Sequence, residues 1–221
     1  MLTPDQFYTE EQRSLQARHD SLKLADAVVH AIVRDEIEEP HIPFIESRDF
    51  FFLSTVSADG EPTVSYKGGP VGAVKVLDGK TLVFPNYDGN GMFKSMGNIA
   101  ASPKVGLLFI DMETPNRIRV QGSASLSEDP DLLAAFPGAN LMVRVDVTAC
   151  FLNCARYIHK HVRVSDSPYV PDAEGQQPFP SWKRIDMLQE VLPAKDMGRT
   201  EAEGGEITFE DYVGKVMDGS S

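Results

Sequence analysis

Two periods of apolar residues run along this chain. Between residues 9 and 39 the apolar positions Leu15, Leu22, Ala25, Val28, Val29, Ile32 and Val33 recur at helical spacing, and Thr9-Glu10-Glu11-Gln12 ahead of them has the form of a capping box. One or two helices are expected there, packed over a sheet or at a subunit boundary. From Phe50 onward the pattern changes to extended runs. Residues 50–56 and 63–66 flank Asp59-Gly60, and residues 74–77 and 81–84 flank Asp78-Gly79. Asp-Gly between two such runs is a hairpin signal, because a tight hairpin turn needs residues that tolerate positive φ. A helix is expected at about 92–101, strands at 104–110 and 117–126, a short helix at 131–136, and a last long strand at 141–147.

Strands joined mostly by hairpins, with few crossover helices, predict a mainly β (α+β) fold: a six-stranded antiparallel barrel, closed or split, with flanking helices. The expected organisation is a helical segment at 1–43, the barrel domain at 44–193, and an acidic tail at 194–221 whose Thr208-Phe209-Glu210-Asp211 opens a short helix. Residues 194–205, acidic and Gly-containing, are expected to be mobile or to lie over a partner surface.

Composition then narrows the function classes. With 221 residues and 42% apolar content the chain fills a core. Its 21 basic residues against 33 acidic ones give a net charge of −12, which repels nucleic acid and anionic membranes. The cleanest apolar stretch, 105–110, is far shorter than the ~20 residues of a membrane span. Met1-Leu2-Thr3-Pro4-Asp5 has neither a basic nor an apolar leader region, and only two cysteines occur, so a cytoplasmic location is expected.

Candidate chemistry falls in four places. The stretch Asn86-Tyr87-Asp88-Gly89-Asn90-Gly91 between a strand and a helix resembles a dinucleotide-binding turn, but Lys94 stands where the third glycine belongs and hairpins flank the unit. What remains is a Gly-rich loop whose free N–H groups and helix dipole suit a phosphate, with Lys94 adding charge, or else a plain connecting loop. In Thr63-Val64-Ser65-Tyr66-Lys67-Gly68-Gly69 a strand bearing a hydroxyl and a lysine runs into glycines, where a planar ligand can approach the backbone and Lys67 can reach an anion; an ordinary edge strand is the alternative. Cys150 and Cys154, beside Phe151 and Leu152, read as core residues, because the C-x-x-C spacing of zinc sites is absent. The single tryptophan, Trp182, is followed by Lys183 and Arg184, a setting for stacking on a ring ligand or for packing against the barrel.

These residues together resemble the pyridoxamine 5′-phosphate oxidase-related family of FMN-binding split barrels, over about 44–193. The resemblance rests on Ser54-Thr55-Val56-Ser57-Ala58-Asp59-Gly60-Glu61-Pro62, on Ser65-Tyr66-Lys67-Gly68-Gly69, on Phe84-Pro85-Asn86-Tyr87-Asp88-Gly89-Asn90-Gly91-Met92, on residues 98–109, and on Asn153-Cys154-Ala155-Arg156-Tyr157-Ile158. It implies a homodimer with FMN in a cleft at the subunit interface and a small-molecule substrate. The flavin is then expected along Thr63, Val64, Ser65, Tyr66 and Lys67, with Lys67 near the phosphate. Phe84 and Pro85 stand where a Tyr-Thr pair lines the flavin in the oxidase. Asn90 and Gly91 replace its Arg-Lys phosphate pair, so phosphate binding is left to Lys67, to the loop carrying Asn86, Asp88, Gly89, Asn90 and Gly91, and to Lys94. Arg117 matches a partner-subunit glutamine that meets the ring, and Trp182 a later tryptophan that contacts FMN. The expected function is a flavin-dependent oxidoreductase; the alternatives are a flavin or tetrapyrrole carrier or sensor, and a deazaflavin-dependent reductase.

Overall fold

The computed structural model describes residues 1–221, and compactness divides them into two units: residues 1–166 with 170–175, and residues 167–169 with 176–221. The first unit opens with three helices, α1 (Pro4–Phe7), α2 (Glu10–Arg18) and α3 (Leu22–Ile32), and a two-residue strand β1 (Val33–Arg34). Thr9 caps α2 as the sequence predicts, its side chain accepting from Gln12 N. The apolar stripe divides: Val29 and Val33 are buried with Ala149 and Phe151, whereas Leu15 and Val28 are exposed.

After α4 (Ile42–Glu46) come β2 (Phe50–Val56), β3 (Pro62–Gly68), β4 (Lys75–Asp78), β5 (Thr81–Asn86), α5 (Lys94–Ala101), β6 (Lys104–Asp111), β7 (Asn116–Ser127), α6 (Pro130–Ala134) and β8 (Leu141–Asn153). The sheet is antiparallel, in the order β3-β2-β6-β7-β8-β5-β4, with β1 also on β8. It has eight strands, six of them long; the expected run at 74–77 is the short β4, and the two-residue β1 was not foreseen. No ladder joins the end strands β3 and β4, which is the split of a split barrel. Both Asp-Gly pairs sit in hairpins, Gly60 taking φ 87° between β2 and β3.

β8 continues six residues past the expected end at Val147. Its 13 residues pair with β7 along one edge, and along the other they pair first with β5 and then with β1. One core, including Phe51, Leu53, Phe84, Leu107, Phe109, Val120 and Val145, fills the concave side. α5 closes over it with Met96 and Ile99. Gly122 marks a register shift in β7 where a Cβ would lie 2.6 Å from Asp146 O, so the strands approach too closely for any side chain.

The second unit holds two 3-10 turns, Ser181–Arg184 and Asp186–Val191, and a helix α7 (Phe209–Asp218) that Thr208 caps as expected. The stretch read as mobile or partner-covering is instead packed within this unit. Asp196 is 2% exposed and accepts from Lys183 Nζ at 2.8 Å, and Thr200 donates to Gln189 Oε1 at 2.6 Å.

Candidate functional site

Strand parity decides which of the expected residues meet. Across the β2–β3 ladder Thr63 faces Thr55, Ser65 faces Leu53 and Lys67 faces Phe51, so these three side chains share the core side of the sheet. Val64 and Tyr66 leave the other face, 70% and 61% exposed, with the Tyr66 ring stacked on Phe50 at 5.2 Å. The expectation that all five residues line one ligand is corrected in that respect. Successive side chains of a strand point opposite ways, so Val64 and Tyr66 reach the core side only with their backbone.

α5 supplies the rest of the core-side group. Ser95 Oγ lies 3.2 Å from Ser65 Oγ, and the buried Asn98 amide donates to Thr55 Oγ1 at 3.0 Å and to Thr63 Oγ1 at 3.3 Å. Thr63 is thus tied into a helix-to-sheet clamp, while Ser65 stands beside Lys67 on the same face. No hydrogen bond or ion pair engages Lys67, and burial pushes its pKa down. A half-buried ammonium without a counter-charge carries a desolvation cost that an anion would offset.

The Gly-rich loop arrives at the same place. Tyr87 packs against Gly69, where a Cβ would come within 3.1 Å of its ring, so the loop after β5 abuts the chain just beyond Lys67. Asp88, Gly89, Asn90 and Gly91 are exposed, and a Cβ on Gly89 or Gly91 would meet nothing within 4 Å. Asn90 Oδ1 accepts from Met92 N, bending the loop toward α5. The helix begins at Lys94, two residues later than expected, because Phe93 takes the left-handed conformation at φ 48°. A bulky residue held there is strained, a feature that accumulates at binding sites.

Three expected residues serve the fold. Phe84 is 1% exposed and edge-on to Phe51, Pro85 is buried opposite Met142, and Asn86 donates to Asn140 Oδ1 at 2.8 Å, tying β5 to the start of β8. Trp182 belongs to the second unit, half-buried, with Lys183 Nζ 5.6 Å from its ring.

Arg117 lies on the face opposite to Lys67. The register runs Tyr66, Phe52, Leu108, Arg119, Phe151 across the outer face, and Arg117 precedes Arg119 by two on the same strand. Within one chain, Lys67 and Arg117 therefore cannot grip the same small ligand. Ser95 and Asn98 escaped the sequence reading, although polar residues three apart on a helix that buries Met96 and Ile99 were a visible signal.

The cysteines separate. Cys150 is fully buried and its pKa is pushed up to about 12 by burial, as a core residue; Cys154 is exposed, which corrects its reading as core. Arg156 donates to Cys154 Sγ from both N and Nε at 3.3 Å, and these bonds hold the thiol below its ordinary pKa. A thiol reagent at neutral pH is expected to modify one cysteine rapidly in the folded protein and the second only after unfolding. The fast phase should disappear in Cys154→Ser and persist to lower pH than for an ordinary thiol, since a depressed pKa keeps the thiolate populated as pH falls. Two equivalents reacting together would contradict this assignment.

No helix is long and apolar enough to cross a membrane. Among solved structures, the chain is similar to an FMN-binding protein from Syntrophomonas wolfei (13% identity, 64% of this chain and 97% of that one, TM-score 0.40). It is also similar to the haem storage protein HutZ from Vibrio cholerae (20% identity, 52% and 94%, TM-score 0.39) and to General Stress Protein 26 from Bacillus anthracis (19%, 51% and 91%, TM-score 0.40). No curated protein matches the chain. The family model for pyridoxamine 5′-phosphate oxidase matches residues 37–160, which span the sheet from its first long strand past the end of its last. That match covers more than half of the 221 residues, and the chain belongs to the pyridoxamine 5′-phosphate oxidase family.

Proposed function

We propose that the protein binds FMN as a homodimer and acts as a flavin-dependent oxidoreductase on a small molecule. The observation that carries this reading is Lys67: a desolvated ammonium without a partner, on the same face as Ser65 and next to the Gly-rich loop. The residues present fit a flavin phosphate. Lys67 supplies the counter-charge, Ser65 and Ser95 supply hydroxyls, and Gly89 and Gly91 leave open space around the backbone of the loop, at the positive end of the α5 dipole with Lys94 in its first turn.

When bound, FMN supplies hydride chemistry, and the protein contributes orientation and electrostatics. Arg117 of a second copy would favour negative charge on the ring, because a nearby cation stabilises the charged form of an acid. The exposed outer face bearing Val64 and Tyr66 suits a second copy of the chain. Spectroscopy and titration test the assignment. The protein should be yellow as purified or become so with added FMN, and should prefer FMN to riboflavin by more than tenfold, as a charge-assisted contact of ~1.5–3 kcal/mol implies. Equal affinity for the two would remove the phosphate assignment.

A further inference from the structure

The chain has ten lysines, and seven of them are exposed. The other three differ in what stands beside them. Lys183 is ion-paired with Asp196 at 2.8 Å, and Lys215 has Asp211 and Asp218 about one helical turn away on either side. Lys67 is withdrawn from water with no carboxylate to compensate: burial alone acts on its pKa, and lowers it. Its Nζ is nonetheless reachable. The unpartnered side-chain atoms shut off from solvent are His41 Nδ1, Arg117 Nε, Asn153 Oδ1 and Ser181 Oγ, and Lys67 Nζ is not among them.

Across the ladder Lys67 faces Phe51, and Ser65 shares its side of the sheet, with Ser65 Oγ 3.2 Å from Ser95 Oγ. An amine beside apolar groups, without a counter-charge and open to small molecules, is the setting in which lysine acts as a nucleophile, because desolvation favours the neutral form and its lone pair. The exposed lysines, hydrated and protonated, lack that activation. What surrounds Lys67 also suits negative charge elsewhere on the same ligand: two hydroxyls, and the start of α5 with Lys94 in its first turn.

The geometry points to Lys67 as a covalent carbonyl site, at which a small aldehyde bearing an anionic group condenses with Nζ when no flavin is bound. The inference goes beyond the flavin reading and does not rest on it. The nitrogen lone pair adds to the aldehyde carbon. The resulting carbinolamine then loses water, which carries away the aldehyde oxygen and both hydrogens of the neutral amine and leaves a C=N bond. No oxidant or reductant takes part, and the step is reversible. On the flavin reading a phosphate holds the same nitrogen as an ammonium, so the two occupants compete.

Glyoxylate with cyanoborohydride, which reduces an imine to a stable carboxymethylamine, tests this on the full-length protein at neutral pH, with the modified lysines located by peptide mass spectrometry. Lys67 should be labelled at least about fivefold faster than any exposed lysine, the advantage of a desolvated amine over a hydrated one. Propanal, which carries no charge, should favour Lys67 less. Lys67→Arg keeps the cation but forms no imine, so it should lose the fast label and retain the preference for FMN over riboflavin; Lys67→Gln replaces it as the unlabelled control if the arginine variant loses its circular dichroism. Added FMN should protect Lys67. Even labelling across the lysines, or a fast label that persists without Lys67, overturns the inference and leaves the flavin reading standing. Equal preference for Lys67 with propanal and glyoxylate overturns the anionic class of the ligand. Fast labelling that FMN does not block supports the inference and removes the phosphate contact from the flavin reading.

Discussion

Two chains that each fail to bind FMN, one carrying Lys67→Glu and the other Arg117→Glu, should recover about a quarter of their sites when unfolded and refolded together. Random mixing makes about half of the dimers mixed, and a mixed dimer has one site with both lesions and one with neither. The geometry demands this result if both residues serve one flavin, because Lys67 faces the core side of the sheet and Arg117 the outer side. Two lesions within one chain's own site could never complement. Mixed dimers isolated by tags that bind no flavin would overturn the assignment of Lys67 and Arg117 to one shared site. Folding is not at stake in the milder variant Lys67→Gln. Burial lowers the Lys67 pKa, so the unfolded chain holds this proton more tightly than the folded one, and the charge costs stability at neutral pH. Without flavin, Lys67→Gln should therefore be no less stable than the wild type.

Asp196→Ala should destabilise the second unit by ~3–5 kcal/mol, the usual consequence of removing one member of a buried ion pair. Asp196 and Lys183 are 2% and 3% exposed and lie 2.8 Å apart. Trp182 is the only tryptophan, and its ring lies 5.6 Å from Lys183 Nζ, so its emission reports on this unit directly. Urea unfolding followed at Trp182 should show a lower midpoint in the variant. The double replacement Lys183→Met with Asp196→Leu should restore much of the loss, because apolar groups of similar volume avoid the cost of burying charge. An unchanged midpoint for Asp196→Ala would mean that the pair contributes nothing.

The strands were legible because hairpin chemistry is local: Asp59-Gly60 and Asp78-Gly79 announce their turns without help from the rest of the chain. The end of β8 was harder to read. Alternation continues through Val143, Val145, Val147 and Ala149, but Ala149 and Cys150 are small, and what holds them in a strand is the ladder to residues 117–121, which is not a local property. The burial of Asp196 was invisible for the same reason, since its partner lies thirteen residues away. In the site, Lys67, Ser65 and the loop after β5 were found by residue type. Their separation from Val64 and Tyr66 follows from the two-residue period of any strand, a constraint the sequence already carried. The placement of Arg117 on the opposite face needed the register of four strands.

β8 is at once the longest strand and the last of the sheet, and three earlier strands wait for it. β5 and β1 share its outer edge, although β1 precedes it by more than a hundred residues. During synthesis β2, β3, β6 and β7 can pair among themselves as they emerge, whereas the N-terminal strand and the β4–β5 hairpin have no edge to join until residues 141–153 appear. Closure of the barrel is thus a late, non-local event with a large loop-closure cost, so folding should be slow for a chain of this size. Until it happens the faces that become the core stay open, and the half-made sheet is the species most exposed to aggregation.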